Sequence, residues 1–276
     1  MTTAATHRAP EVAARPTRRG TRLAGAAVLA ALVAFALLEG LLGSADPAAQ
    51  DLEAALTPPG AEHFLGTDPF GRSMVARLGA ALRLSLLVST ACVATALLLG
   101  TGLGVLAAWR GGWTDRCLST VVNLLLALPG LVLILLVAAL APGSLPVLYG
   151  AIALVLWIEY FRVARAVAAP AIRSPAMEAS RLLGFGVLYR FRRHVLPVLL
   201  PPLLAQAAFG AATAVMALAS LGFVSVGLQP PTAELGLMMV ELFPYYRAAP
   251  WALAQPILAL SLYLLALHLL AGDRER

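Results

Sequence analysis

Few residues in this chain have the type and spacing that chemistry requires. None of its 20 basic residues is a lysine, so it has neither a Walker A sequence nor an amine for a Schiff base. The patterns HExxH, GxSxG and CxxC are also missing from the sequence. Gly100-Thr101-Gly102-Leu103-Gly104 has the glycine density of a phosphate loop but sits inside an apolar run. Small residues four apart let two helices approach closely, so helix packing is the expected role. Glu159 lies inside another apolar run, which raises the question of a proton relay. It stands toward the end of that run, one helical turn before Arg162, and is expected to be a paired interfacial charge. Of His7, His63, His194 and His268, His268 alone falls within an apolar run, and it has no evident partner. A membrane-embedded enzyme would need a catalytic constellation there. Cys92 and Cys117 lie in or beside apolar runs and are expected to be two buried structural thiols, not a disulfide. No cofactor is implied.

The elements that carry these residues are membrane spans. Hydrophobic residues make up 60% of the chain and charged residues 12%, against about a quarter charged in soluble domains. Mean hydropathy is +0.84. Apolar stretches long enough to cross a bilayer fall near 23–42, 84–108, 118–140, 147–168, 196–226 and 251–270. The first follows five arginines, two of them the pair Arg18-Arg19, so a signal peptide is a competing reading. A run of about 20 residues exceeds a signal core and favours an anchor. Six spans place both termini on one side. The tail 1–22, the turn 110–116, the segment 162–193 and the C-terminal tail together hold 16 arginines, whereas the other face holds four: Arg72, Arg77, Arg83 and Arg247. The positive-inside rule makes the first face cytoplasmic. The expected organisation is a cytoplasmic tail 1–22, a first span 23–43, a periplasmic segment 44–82, a core 83–271 with five spans, and a cytoplasmic tail 272–276. The asymmetry accounts for the net charge of +6 without nucleic acid.

The cytoplasmic stretch 170–195 is long for a connection and is predicted to contain a short amphipathic helix, about 174–184. Ser174 can cap it, Pro175 suits its first position, and Glu178 lies near its positive end. Gly184 and Gly186 fit a helix stop. Such a helix either lies on anionic lipid or docks into a groove on a soluble partner, and the physics leaves both open.

Glu178-Ala179-Ser180, three residues, Gly184, nine residues, then His194-Val195-Leu196-Pro197 resembles the EAA–x3–G–x9–I–x–L–P signature of binding-protein-dependent importer permeases. Two positions depart from it: Ser180 stands at the second Ala and His194 at the Ile. His63 through Ser73, including Gly66, Thr67, Asp68, Gly71 and Arg72, is similar to the "HxLGTDxxGRD" segment of the C-type dipeptide, oligopeptide and nickel permeases, with Ser73 at the usual Asp. Leu221 through Thr232, including Gln229, Pro230 and Pro231, is similar to that branch's "LSFLGLGVQPPT", and Leu269 through Asp273 to its C-terminal segment. The resemblance spans about residues 60–273.

It implies an all-α fold, the type I importer permease bundle of six transmembrane helices in a bacterial inner membrane, with a cytoplasmic coupling helix that docks on an ATPase subunit. Glu178 is implied to orient that helix, Gly184 to allow the turn, and Pro197 to start the fifth span. The implied partners are a second homologous permease, two cytoplasmic ATP-binding subunits, an extracytoplasmic solute-binding protein and membrane lipid. Nucleic acid is not among them. ATP would be hydrolysed by the partner subunits, and the solute would be a peptide or a nickel or metal chelate. The segments 66–72 and 229–232 are expected either to cap the bundle or to dock the binding protein. A polytopic membrane enzyme or a non-transport scaffold is the alternative.

Overall fold

The computed structural model describes residues 18–43 and 46–271. The expected tails lie outside these residues for 1–17 and 272–276. Ten α-helices carry the described chain: α1 (Arg18–Leu42), α2 (Met74–Arg110), α3 (Gly112–Leu126), α4 (Gly130–Ala138), α5 (Leu145–Ile172), α6 (Pro175–Leu182), α7 (Val187–Arg190), α8 (Leu196–Phe223), α9 (Leu235–Leu242) and α10 (Pro250–Ala271). A single π-turn, Phe191–Val195, joins α7 to α8. The β structure among the described residues is one isolated antiparallel bridge, Thr67 to Ser73. Five helical stretches are long and apolar enough to cross a membrane, and α3 with α4 forms a sixth, bent crossing.

Two spans differ from expectation. The helix that carries the second begins at Met74, ten residues before the expected 84. Ser73 makes this start: its hydroxyl accepts from the Ala76 N–H at 3.5 Å, and either Ser or the usual Asp can cap in this way. The third span, expected as one helix over 118–140, is broken by 83° between α3 and α4. Pro129 supplies no N–H and pushes Leu128 away from helical geometry, and Gly130 follows it. An apolar run conceals such a break because hydropathy does not register backbone donors.

The core lies between α2, α4, α5 and α8, around Cys92, Ile134, Leu156, Tyr160 and Leu203. α2 and α5 run side by side in the same direction. A Cβ on Gly100 would stand 2.4 Å from the Trp157 carbonyl oxygen, and one on Gly104 2.5 Å from that of Phe161. The glycine-rich run is therefore a close helix contact. Gly25 of α1 faces Ala266 and Leu269 of α10, while Glu39, at the other end of α1, faces Gly79 and Arg83 of α2. These contacts place the start of α1, the ends of α2, α5 and α10, and α6 at one end of the bundle, the Arg-rich end. The segment 46–73 and α9 lie at the opposite end. No sequence pattern singles out Glu39. Its carboxylate accepts from Arg83 Nη1 at 2.5 Å, so two charges in facing spans satisfy each other. Cys92 is buried, but Cys117 is exposed on α3, contrary to the expectation of two buried thiols.

Candidate functional site

At the Arg-rich end, α6 is held by local bonds. Ser174 Oγ accepts from the Met177 N–H at 3.3 Å and donates to the Ala171 carbonyl at 2.8 Å, and Pro175 occupies the first turn. At the other end the Phe185 N–H reaches the Ser180 carbonyl at 3.1 Å and the Gly184 N–H that of Arg181 at 3.0 Å. Gly184 has φ +80°, which completes a Schellman stop. The inner face of α6 buries Met177 against Ala168 and Val195. Ser180 Oγ lies 2.7 Å from His194 Nε2 on the π-turn. Pro197 is exposed in the first turn of α8.

Glu178 and Ala179 face outward. Among the described residues the Glu178 carboxylate meets Arg181 alone, at 4.0 Å on the open surface. It therefore does not orient the helix on its own chain; Ser174, Met177 and Ser180 do. Residues 181–189 are exposed without interruption, and Leu182 (81%), Leu183 (75%) and Leu188 (70%) are bare. An apolar patch this contiguous, rimmed by Arg181 and Arg190, marks an interaction surface for a protein partner or for lipid.

Ser180 and His194, the two departures from the importer signature, are thus partners of one another. Ser180→Ala or His194→Ile alone leaves one polar group without its mate, which typically costs about 1–3 kcal/mol. Each single change is expected to lower uptake roughly three- to tenfold. The double change restores the usual Ala and Ile and is expected to recover uptake to within about twofold. Losses that simply add in an uptake assay would show that the pair is not coupled.

The end opposite the Arg-rich one carries a second cluster. Gly66, Thr67, Asp68, Gly71 and Arg72 are all buried. Asp68 Oδ1 accepts from the Phe70 and Arg72 N–H groups at 2.8 and 2.9 Å. Its Oδ2 accepts from Arg72 Nε at 2.5 Å and from Arg77 Nη1 at 2.8 Å. Both guanidinium groups also reach Glu241 of α9, Arg72 at 3.3 Å and Arg77 more closely. Gly71, at φ +72°, leaves no space for a side chain: a Cβ would stand 1.6 Å from the Asp51 carbonyl oxygen. The cluster clamps the outer segment to α2 and α9.

Gln229, Pro230 and Pro231 are exposed near the same end, with Gln229 Nε2 donating to the Ser225 carbonyl at 3.3 Å. The structure does not bring them to the Asp68 cluster. Sequence reasoning misses Glu241, whose partners are 164 and 169 residues away, so no local signal marks it. It also misses Glu234, which caps α9 by accepting from the Gly236 and Leu237 N–H groups at 3.0 and 2.8 Å. Burial pushes its carboxyl up from the ordinary range, and those N–H groups counter the rise. An Asp or Glu just before an apolar helix is the signal that could have found it.

Between these ends a groove of about 720 Å³ opens between α3 and α5, lined by Ser119 and Asn123 on one side and Glu159, Arg162, Val163 and Ala166 on the other. Toward the Arg-rich end Arg165 grips Asp115 with two contacts, one at 2.7 Å. Glu159 sits at the midpoint of the 28-residue α5, roughly 20 Å from either end at 1.5 Å per residue, not near its cytoplasmic end as expected. Its hydrogen-bond partner is Gln206 of α8, at 3.0 Å, and not Arg162. Among the described residues no group of three His, Cys, Asp or Glu could hold a metal ion.

Residues 100–272 match the family described as "Binding-protein-dependent transport system inner membrane component". The chain is 35% identical over 261 residues to the di/tripeptide transport system permease protein DppC of Pseudomonas aeruginosa (strain UCBPP-PA14), covering 92% of this chain and 86% of the relative. It is 31% identical over 254 residues to the dipeptide transport system permease protein DppC of Alkalihalophilus pseudofirmus, covering 92% and 83%. To the nickel transport system permease protein NikC of Escherichia coli (strain K12) it is 34% identical over 232 residues, covering 84% and 83%. With six apolar crossings, a capped helix bearing the importer signature and these relatives, the chain belongs to the family of inner-membrane permease components of binding-protein-dependent transport systems.

Proposed function

We propose that this chain moves short peptides into the cell as one of two permease subunits, powered by ATP hydrolysed on two cytoplasmic partner subunits and supplied by an extracytoplasmic binding protein. The observation that carries the coupling is the outward face of α6, with Glu178 and Ala179 beside the bare Leu182 and Leu183. Closure of the ATPase pair would push α6 and its counterpart together. Because Met177 and Ser180 tie α6 to the start of α8, that push would reach the spans as a rigid-body tilt. The Arg-rich end, with α6, the start of α1 and the end of α10, faces the cytoplasm under the positive-inside rule. The Gly66–Arg72 loop, buried except at Pro69 and Phe70, caps the bundle on the outer side, and the exposed rim of Gln229, Pro230 and Pro231 is free to meet the binding protein.

The relatives named for dipeptides support the peptide reading. The relative named for nickel favours a nickel complex as the second reading. Reconstitution of the four-subunit complex with its binding protein separates them. Labelled di- and tripeptides should accumulate in proteoliposomes only when ATP is supplied to the ATPase subunits, and nickel should not accumulate. ATP-dependent nickel accumulation without peptide uptake would replace the first reading by the second. Absence of an ATPase subunit from the purified complex would sink both.

A further inference from the structure

In a protein that crosses a membrane, a charged side chain within a span faces another subunit or a water-filled path and not lipid. Glu159 is such a group. It is exposed at the centre of α5, and its hydrogen bond among the described residues comes from the neutral amide of Gln206. Arg162 follows three residues later on the same face, which puts the two side chains about one turn apart. It too is exposed, and neither it nor Glu159 takes part in an ion pair among the described residues. The contrast with Arg165 is informative: three residues further along α5, that arginine is fully engaged by Asp115. Both free charges open into the same groove, whose opposite wall presents the hydroxyl of Ser119 and the amide of Asn123. Its volume, about 720 Å³, falls within the usual range of small-molecule sites, roughly 300–1,000 Å³.

We propose that this groove is a solute contact in the translocation path, with Glu159 meeting the α-ammonium of a short zwitterionic peptide and Arg162 its carboxylate. The proposal rests on the peptide reading above and adds the residues that recognise the solute along the path. A carboxylate and a guanidinium one turn apart present opposite charges in the same order as the two ends of a free peptide. Each charge-assisted bond exists only while the other partner is present. Gln206 fixes the Glu159 carboxylate, and the hydroxyl of the neighbouring Tyr160 donates to the Gln206 backbone carbonyl at 3.2 Å. The carboxylate is thus held on a packed α5–α8 contact and not on a mobile stem.

The test uses the whole complex with its binding protein in proteoliposomes, measuring uptake of a labelled free dipeptide and ATP hydrolysis together. Glu159→Gln and Arg162→Gln are each expected to lower uptake roughly tenfold or more, the effect of losing one charged hydrogen bond. ATP hydrolysis stimulated by the binding protein should stay within about twofold of the unsubstituted complex, so more ATP is spent per peptide moved. Glu159→Asp, which keeps the carboxylate, should restore most of the uptake. Unchanged uptake in both Gln variants overturns the proposal. Loss of the second permease from the purified Glu159→Gln complex also overturns it, because Glu159 would then be an inter-subunit contact. An unsubstituted complex that moves no peptide overturns the peptide reading itself, a result the variants cannot produce.

Discussion

Gly184→Val is expected to reduce ATP-driven uptake at least about a hundredfold while the protein still inserts in the membrane. Gly184 holds φ +80° with nothing within 4 Å of a prospective Cβ, so the obstacle is the backbone conformation and not crowding. A β-branched residue in that region is strained by of order 1–3 kcal/mol. The turn then opens, and the Phe185 and Gly184 N–H groups leave the Ser180 and Arg181 carbonyls. Leu182, Leu183 and Leu188 lose their common surface, because they lie on both sides of this stop. A factor of a hundred corresponds to about 2.7 kcal/mol, within reach of the strain plus the lost docking contacts. Glu178→Arg attacks the same surface differently: it leaves α6 folded, since the Glu178 side chain meets its own chain only in an exposed contact with Arg181 at 4.0 Å, and it reverses the charge presented at this surface. Both variants should lose binding-protein-stimulated ATP hydrolysis and uptake together, with normal amounts of protein in the membrane fraction. A Gly184→Val complex that hydrolyses ATP and transports at the full rate would remove α6 from the coupling path.

Local chemistry makes α6 legible in the sequence. Its start is specified by Ser174 and Pro175 and its end by Gly184, all within eleven residues, and caps act over single turns. Its contact with His194 is not legible in the same way. The sequence displays Ser180 and His194 as two separate departures from a pattern, and only the fold shows that one compensates the other. The six crossings are legible through hydropathy, yet the break at Pro129 is not, since Leu128, Pro129 and Gly130 lie within one continuous apolar run. The early start of α2 is hidden for the opposite reason. Arg77 and Arg83 lower the local hydropathy, so the apolar run starts only after them, whereas both are neutralised by acids on other elements, Asp68 and Glu241 for one and Glu39 for the other. Pairing over 164 residues leaves no trace in a local window. The expected span 147–168 already passes Arg162 and Arg165, and α5 ends only four residues later, at Ile172; what the sequence does not show is that Arg165 is taken up by Asp115 of α3 and Glu159 by Gln206 of α8.

The outer charge cluster gives the second large effect. Asp68→Ala is expected to destabilise the complex severely. Asp68 is 2% exposed and receives Arg72 and Arg77, themselves 2% and 1% exposed. Removing the carboxylate strands two guanidinium groups with only Glu241 between them, and breaking a buried ion pair from one side typically costs about 3–5 kcal/mol. Two backbone N–H groups, of Phe70 and Arg72, lose their acceptor as well. The turn through Gly71 keeps the Asp51 N–H on the Phe70 carbonyl at 3.1 Å, but the side-chain clamp that ties the segment to α2 and α9 is lost. The measurement is thermal unfolding of the purified protein in detergent beside its yield in the membrane fraction. Ser73→Asp, one residue beyond Arg72, is the control. It introduces the residue usual at that position in related permeases, keeps the cap on α2, and should melt as the unsubstituted protein does. Equal melting of Asp68→Ala and Ser73→Asp would mean that the cluster does not hold the outer segment. Destabilisation confined to Asp68→Ala would assign the buried half of the outer motif to architecture. Recognition on that side would then fall to the exposed rim of Gln229, Pro230 and Pro231, whose replacement should weaken binding-protein stimulation without lowering the melting temperature.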